Sequence, residues 1–172
     1  NIKDPNLKII YDVANLYRGF GKIKESIDYY TKVINILDNK HPSYADILYR
    51  RGASYERVGK WENSDRDLLE SLKINSDNPH VLNYLAYSWL ERNYKINEAM
   101  DMLQFAHNTR PNDPYITDSV GWAHYLQGEY VEAEKFIRQA IKLLPADPII
   151  NDHYGDILWK LGRPLQANYF WN

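Results

Sequence analysis

The sequence has no cysteine, which excludes disulfides, thiolate metal sites and a cysteine nucleophile. No apolar run approaches the length of a membrane span. Neither sign of charge dominates: 21 Lys and Arg stand against 23 Asp and Glu, for a net charge of −2 and a pI of about 6.2. A basic excess of the kind that holds nucleic acid or an anionic membrane is missing, so neither is an expected partner. HExxH, G-x-S-x-G, a Gly-rich phosphate loop and a metal-grade carboxylate cluster are missing too. His41, His80, His107, His124 and His153 show no ligand spacing, and His153 directly follows Asp152, which on a helix separates the two by about 100°. Neither catalysis nor a cofactor is expected. The chain opens on Asn1 without a methionine, which reads as a fragment or a processed form.

What is present is apolar, aromatic and periodic. Hydrophobic residues make up 44% of the 172, enough for a core, and 15 Tyr and 5 Trp supply rigid contact area with a polar handle. Gly21, Gly59, Gly128 and Gly162 each separate two apolar-periodic segments, and Asn93 takes the glycine's place in a slightly longer turn, Asn93-Tyr94-Lys95. Seven residues before these turns stand Ala14, Gly52, Ala86, Gly121 and Gly155. Shortly after them stand Ser26, Ser64, Ala99, Ala133 and Ala167. Small residues at both places predict two helices crossing closely in each of five hairpins.

Helix starts are marked by Asp4-Pro5, Asn78-Pro79, Asp113-Pro114 and Asp147-Pro148, each a side-chain cap followed by a proline in the first turn. Only the second hairpin starts differently, after the inserted Asp38-Asn39-Lys40-His41-Pro42, a loop expected to stand out from the rest. The spacing predicts helices over 6–19 and 23–37, 43–57 and 61–74, 79–92 and 96–109, 114–126 and 130–143, and 148–160 and 164–172. The last ends at Phe170-Trp171-Asn172 without a cap, so those aromatics are expected to be exposed, through truncation or as a docking site. His124 falls where other hairpins have Tyr17, Tyr55 and Trp89, a packing position between helices.

The stretch from Pro114 to Pro145, PYITDSVGWAHYLQGEYVEAEKFIRQAIKLLP, resembles the tetratricopeptide repeat. Five such units fit, at about 5–40, 43–77, 78–112, 113–146 and 147–172, the last incomplete. The resemblance implies one all-α array, a right-handed α-solenoid of five helix-turn-helix repeats with a concave and a convex side. It also implies a non-catalytic scaffold that holds a protein or peptide in a groove lined by the first helix of each pair. Carried over by position, the groove face holds as partner-binding candidates Asn15, Arg18, Arg50, Asn83, Tyr87, Tyr115, Asp118, Trp122, Tyr125, Asp152, Asp156 and Trp159, and beside them Lys8, Tyr11, Asp46, Tyr49, Glu56, His80, Tyr84, Ile149 and His153.

Asn83, Asp118 and Asp152 recur at one place in three repeats and predict a ladder. Tyr87, Trp122 and Asp156 predict a second row, with Tyr125 and Trp159 beside it. Acids beside aromatics suit a peptide, the acids taking N–H groups or a basic side chain and the rings covering apolar stems. The alternative at each polar position is a bond to the neighbouring helix that fixes the array. By charge, Arg18 and Arg50 would favour an acidic segment, and the more acidic C-terminal half a basic one.

The carboxylate clamp of chaperone-tail binders is matched only at Asn15, since the other places hold Tyr11, Arg50, His80 and Tyr84. A base-reading pentatricopeptide function would need a basic groove. The strings LNYLAYSW, ITDSVGWAHYLQGEYVEA and DPIINDHYGDILWKLGR resemble the C-terminal repeats of long bacterial tetratricopeptide adaptors, many of them exported or lipid-anchored, which leans the location toward the cell envelope, with the cytoplasm as the alternative. The alternative function is self-assembly through the last helix.

Overall fold

The computed structural model describes residues 2–171. Among them are ten helices and no strand: α1 (Pro5–Gly19), α2 (Ile23–Ile36), α3 (Tyr44–Arg57), α4 (Trp61–Ile74), α5 (Pro79–Glu91), α6 (Ile96–Thr109), α7 (Pro114–Leu126), α8 (Tyr130–Leu143), α9 (Pro148–Lys160) and α10 (Pro164–Trp171). These limits follow the sequence reading to within a residue, and Asn172, assigned to the last helix from sequence, lies outside the described residues.

The starts and stops have local causes. Asp4 accepts from the N–H groups of Asn6 and Leu7, Asp113 from Tyr115 and Ile116, and Asp147 from Ile149 and Ile150. Asn78 does the same for His80 and Val81. Each satisfies donors that a helix start leaves orphaned, and the following proline has no N–H to lose. Each first helix ends in a turn closed by the same backbone bond, Lys22 N–H to Tyr17 C=O, Lys60 to Tyr55, Tyr94 to Trp89, Glu129 to His124 and Arg163 to Leu158. That closure needs a left-handed residue, supplied by four glycines with φ between +73° and +80° and by Asn93 at +53°. The extra residue in the third turn puts Lys95 left-handed as well, at +44°. Before α3 the inserted loop folds on itself instead of capping: His41 N–H reaches Asp38 C=O, and Ser43 N–H reaches His41 Nδ1.

The chain divides into two compact units, residues 1–81 and 82–172. In the first, α1 packs on α2, α2 on α3 and α3 on α4. Leu7, Ala14, Tyr30, Val33 and Ile47 make one core cluster there. Beside it Arg51 forks onto Asp67, Nε to Oδ2 at 2.6 Å and Nη2 to Oδ1 at 3.0 Å, with both residues buried. In the second unit α6, α7, α8, α9 and α10 pack in succession, and α7 also touches α9. Ala133, Ile137, Ala140, Ile150, Tyr154, Ile157, Leu158 and Ala167 form its core.

All ten small positions at the helix crossings are buried. A Cβ on Gly121 would meet Ile137 Cγ1 at 2.8 Å, and one on Gly52 would meet Leu68 Cγ at 3.0 Å, so those hairpins close to the limit that glycine allows. His124 packs between helices as its place predicts, stacked on Phe136 with centroids 5.4 Å apart.

Candidate partner-binding faces of the first helices

In the second unit the first helices α7 and α9 bring several of the sequence-predicted residues together. Asp118 on α7 is only 5% exposed, and both its oxygens lie at hydrogen-bond distance from His153 Nδ1 on α9, 2.9 and 3.0 Å. His153 also stacks on Trp122 with centroids 4.0 Å apart, and Trp122 stacks on Tyr125 at 4.4 Å, both pairs at 15°. Tyr87 of α5 adds a tilted contact to the same imidazole, at 6.5 Å. Trp122 Nε1 donates to Glu91 Oε1. The result is a column of rings, anchored at one side by a buried carboxylate.

Asn83, Asp118 and Asp152 have three different environments. Asn83 is half-buried, with its Oδ1 buried and unpartnered. Asp118 is turned into His153. Asp152 is exposed. One turn beyond Asp152 stands Asp156, whose carboxyl is raised above its ordinary value, first by burial and then by the charge of Asp152. The Trp171 indole opposes that shift by donating to Asp156.

Trp159 is 56% exposed, with its ring centroid 5.8 Å from that of Trp171, and Tyr115 on α7 is 57% exposed. Pro148, Asn151, Asp152, Tyr169, Phe170 and Trp171 line an open pocket between α9 and α10. Of the two terminal aromatics expected at the surface, Trp171 is exposed, whereas Phe170 is half-buried against Tyr154, centroids 4.5 Å apart.

In the first unit Arg50 on α3 bonds Asp46 at 2.8 Å and reaches Asn15 on α1 at 3.4 Å. Asn15 also accepts from the Tyr30 hydroxyl at 2.7 Å, and Asp46 from the Tyr11 hydroxyl at 3.0 Å. Burial pulls the Arg50 guanidinium down, but Asp46 outweighs it and holds the group above its ordinary value. Burial likewise raises the phenols of Tyr11, Tyr30 and Tyr49. Arg18 Nε lies buried without a hydrogen-bond partner. Asn15 and Arg50 are thus joined to each other, and both tie α1 to α3.

Glu91 is the site residue that sequence reasoning did not select, whereas His153 falls on the groove face by position but without its pairing to Asp118. The signal for His153 was present in a form that looks one repeat away. The residue ten before one turn meets the residue nine before the next, as Asp118 meets His153 and as Tyr11 lies 6.0 Å under the Arg50 guanidinium. Among the described residues no three His, Asp or Glu side chains converge on a metal position, and no helix is long and apolar enough to cross a membrane.

The fold and these faces define an all-α chain of helix-turn-helix repeats. Residues 7–36 match the tetratricopeptide repeat family. The chain is 33% identical over 117 residues to the TPR repeat-containing protein PA4667 of Pseudomonas aeruginosa, a match covering 68% of this chain and 20% of that protein. The matched part thus spans a fifth of the relative's length. Among solved structures, a tetratricopeptide repeat protein from Parabacteroides merdae superposes with a TM-score of 0.78 at 18% identity, covering 98% of this chain and 64% of the other. PilF of Pseudomonas aeruginosa superposes at 0.77 and 18%, covering 97% and 74%, and MamA of Desulfovibrio magneticus RS-1 at 0.74 and 14%, covering 97% and 92%. The repeats of this chain are tetratricopeptide repeats, arranged as an α-solenoid of helical hairpins.

Proposed function

We propose that the chain is a non-catalytic protein-binding module, and that the α7 and α9 face of its second unit grips an extended partner segment through a cationic side chain. The observation that carries this reading is the exposed carboxylate of Asp152, without an ion-pair partner among the described residues, one turn from the half-buried Asp156 and two turns from the exposed indole of Trp159. Like charges one helical turn apart disfavour each other. A Lys or Arg placed between them relieves that repulsion while its stem lies on the indole face. Tyr115 and Trp122 extend the aromatic surface along α7. Asp118 takes a supporting role, because its oxygens are already committed to His153.

The test is a set of short extended peptides, identical except for a central Lys, Arg, Ala or Glu. Lys and Arg peptides should bind, more weakly in high salt, and Asp152→Asn with Asp156→Asn should remove the preference. Equal binding of the Glu peptide would overturn the reading.

Self-assembly through α10 is the second reading, favoured by Leu165 at 88% and Tyr169 at 77% exposure. Sedimentation that is independent of concentration would remove it.

A further inference from the structure

Among the described residues, several buried side-chain atoms lack a hydrogen-bond partner, and one of them belongs to a permanently charged group, Nε of Arg18 on α1. Burying a charged donor without an acceptor is expensive. The other buried or half-buried arginines have acceptors: Arg50 has Asp46, Arg51 has Asp67 and Arg92 has the Ser88 carbonyl. Two carboxylates on the first helices of this unit are already engaged, Asp12 by Lys8 and Asp46 by Arg50. Burial raises the phenols of Tyr30 on α2 and Tyr49 on α3, and the charges of Arg18 and Arg50 oppose that rise at both. The two guanidiniums therefore act on one face of the first unit, where Asp46 bonds only Arg50.

We infer that Arg18 is a site for one carboxylate of a partner, the side chain of an Asp or Glu within an extended segment. The charge balance selects the ligand. Arg18 and Arg50 against Asp46 leave one positive charge over, which a carboxylate neutralises and a phosphate dianion would exceed. Arg18 also lies outside the places of the chaperone-tail clamp, Tyr11, Asn15, Arg50, His80 and Tyr84, so a chain terminus is not the expected ligand. A half-buried, unpaired guanidinium is kept at a cost to the free chain, and a partner's carboxylate removes that cost. The site belongs to the first unit and has the opposite sign to the acid–aromatic face, so it stands or falls apart from that reading.

The probe is a short extended peptide, acetylated and amidated at its ends, with one central Glu between alanines. It is titrated into the full chain while the Arg18 Nε–Hε resonance is followed by NMR and the affinity by calorimetry. A saturable shift that high salt weakens is the expected result, and the same peptide with Ala or Lys should give none. Arg18→Leu should weaken the Glu peptide about tenfold or more. The same variant should raise the thermal midpoint of the free chain, because it removes an unpaired, half-buried charge. With one surplus charge against the two acids Asp152 and Asp156, the Glu peptide should bind more weakly than a Lys peptide does at α7 and α9. Asp152→Asn with Asp156→Asn should leave the Glu peptide unaffected, which separates a failure here from a failure of the cationic-partner reading. No shift, binding that Arg18→Leu leaves unchanged, or a lowered midpoint in that variant overturns the inference. Equal binding by a peptide whose only carboxylate is its C-terminus, or tighter binding by a phosphoserine peptide, also overturns it.

Discussion

His153 places its Nδ1 within 3.0 Å of both carboxylate oxygens of Asp118 while its ring lies flat against Trp122. Asp118 and His153 belong to successive first helices, so the contact sets how α7 and α9 meet and holds Trp122 in the ring column. Removing the imidazole leaves a buried carboxylate without this partner. His153→Ala is expected to cost about 1–3 kcal/mol for that loss alone, plus the lost stacking. Asp118→Asn/His153→Ala should cost less than the sum of the single changes, because one contact is lost twice in the sum. Denaturant titration of the four proteins measures it, and strict additivity would show that the pair does not act as a unit.

The buried fork between Arg51 and Asp67 predicts an asymmetric response. Asp67→Ala strands a guanidinium and should cost about 3–5 kcal/mol. Replacing both partners with apolar residues of similar volume, Arg51→Met with Asp67→Leu, should recover most of that loss. Urea unfolding of the two variants distinguishes this from a pair that is merely adjacent, for which the double change would be the worse one.

Gly121 and Gly155 should answer differently to alanine. At Gly121 the new Cβ would approach Ile137 at 2.8 Å and the Ile137 backbone nitrogen at 3.2 Å, so overpacking should cost about 1–3 kcal/mol. At Gly155 the first obstacle is Nε1 of the Trp171 indole, on a partly exposed side chain. Gly155→Ala should displace Trp171 and change the tryptophan fluorescence at smaller cost in stability. Equal thermal shifts with unchanged fluorescence would contradict this.

Asp156 carries a pH dependence of the opposite sign to an ordinary salt-bridged carboxylate. Burial first, then Asp152, raise its folded value above 3.8. Between the unfolded and folded values the native state holds more protons, so this group's contribution to stability falls as pH rises through that window. The ionised form remains unfavourable above it. Asp156→Asn should flatten the dependence there and raise the thermal midpoint at neutral pH. A melting curve series with the same slope as wild type would contradict the assignment.

The hairpins were legible because their signals are local. Asp or Asn before Pro, a left-handed turn residue and small residues on either side fix each element within its own repeat. Asn93 could be read as a glycine substitute because its short side chain tolerates the same φ. The candidate site was less legible, because its geometry depends on neighbours outside the repeat. Asp118 looked equivalent to Asp152 by position, yet Asp118 is buried against a histidine of the next first helix, whereas Asp152 is exposed. Phe170 and Trp171 read as loose ends, whereas Phe170 packs on Tyr154 and Trp171 fills the space that glycine leaves.

The central claim is that the acid–aromatic face of α7 and α9 holds a cationic side chain of a partner. Hydrogen exchange on the full chain, with and without a short extended peptide carrying one central Lys between alanines, tests it most directly. Slowed exchange confined to α7 and α9, absent in an Asp152→Asn/Trp159→Ala variant with unchanged circular dichroism, is the predicted result. Protection elsewhere, or protection that survives the two substitutions, contradicts it.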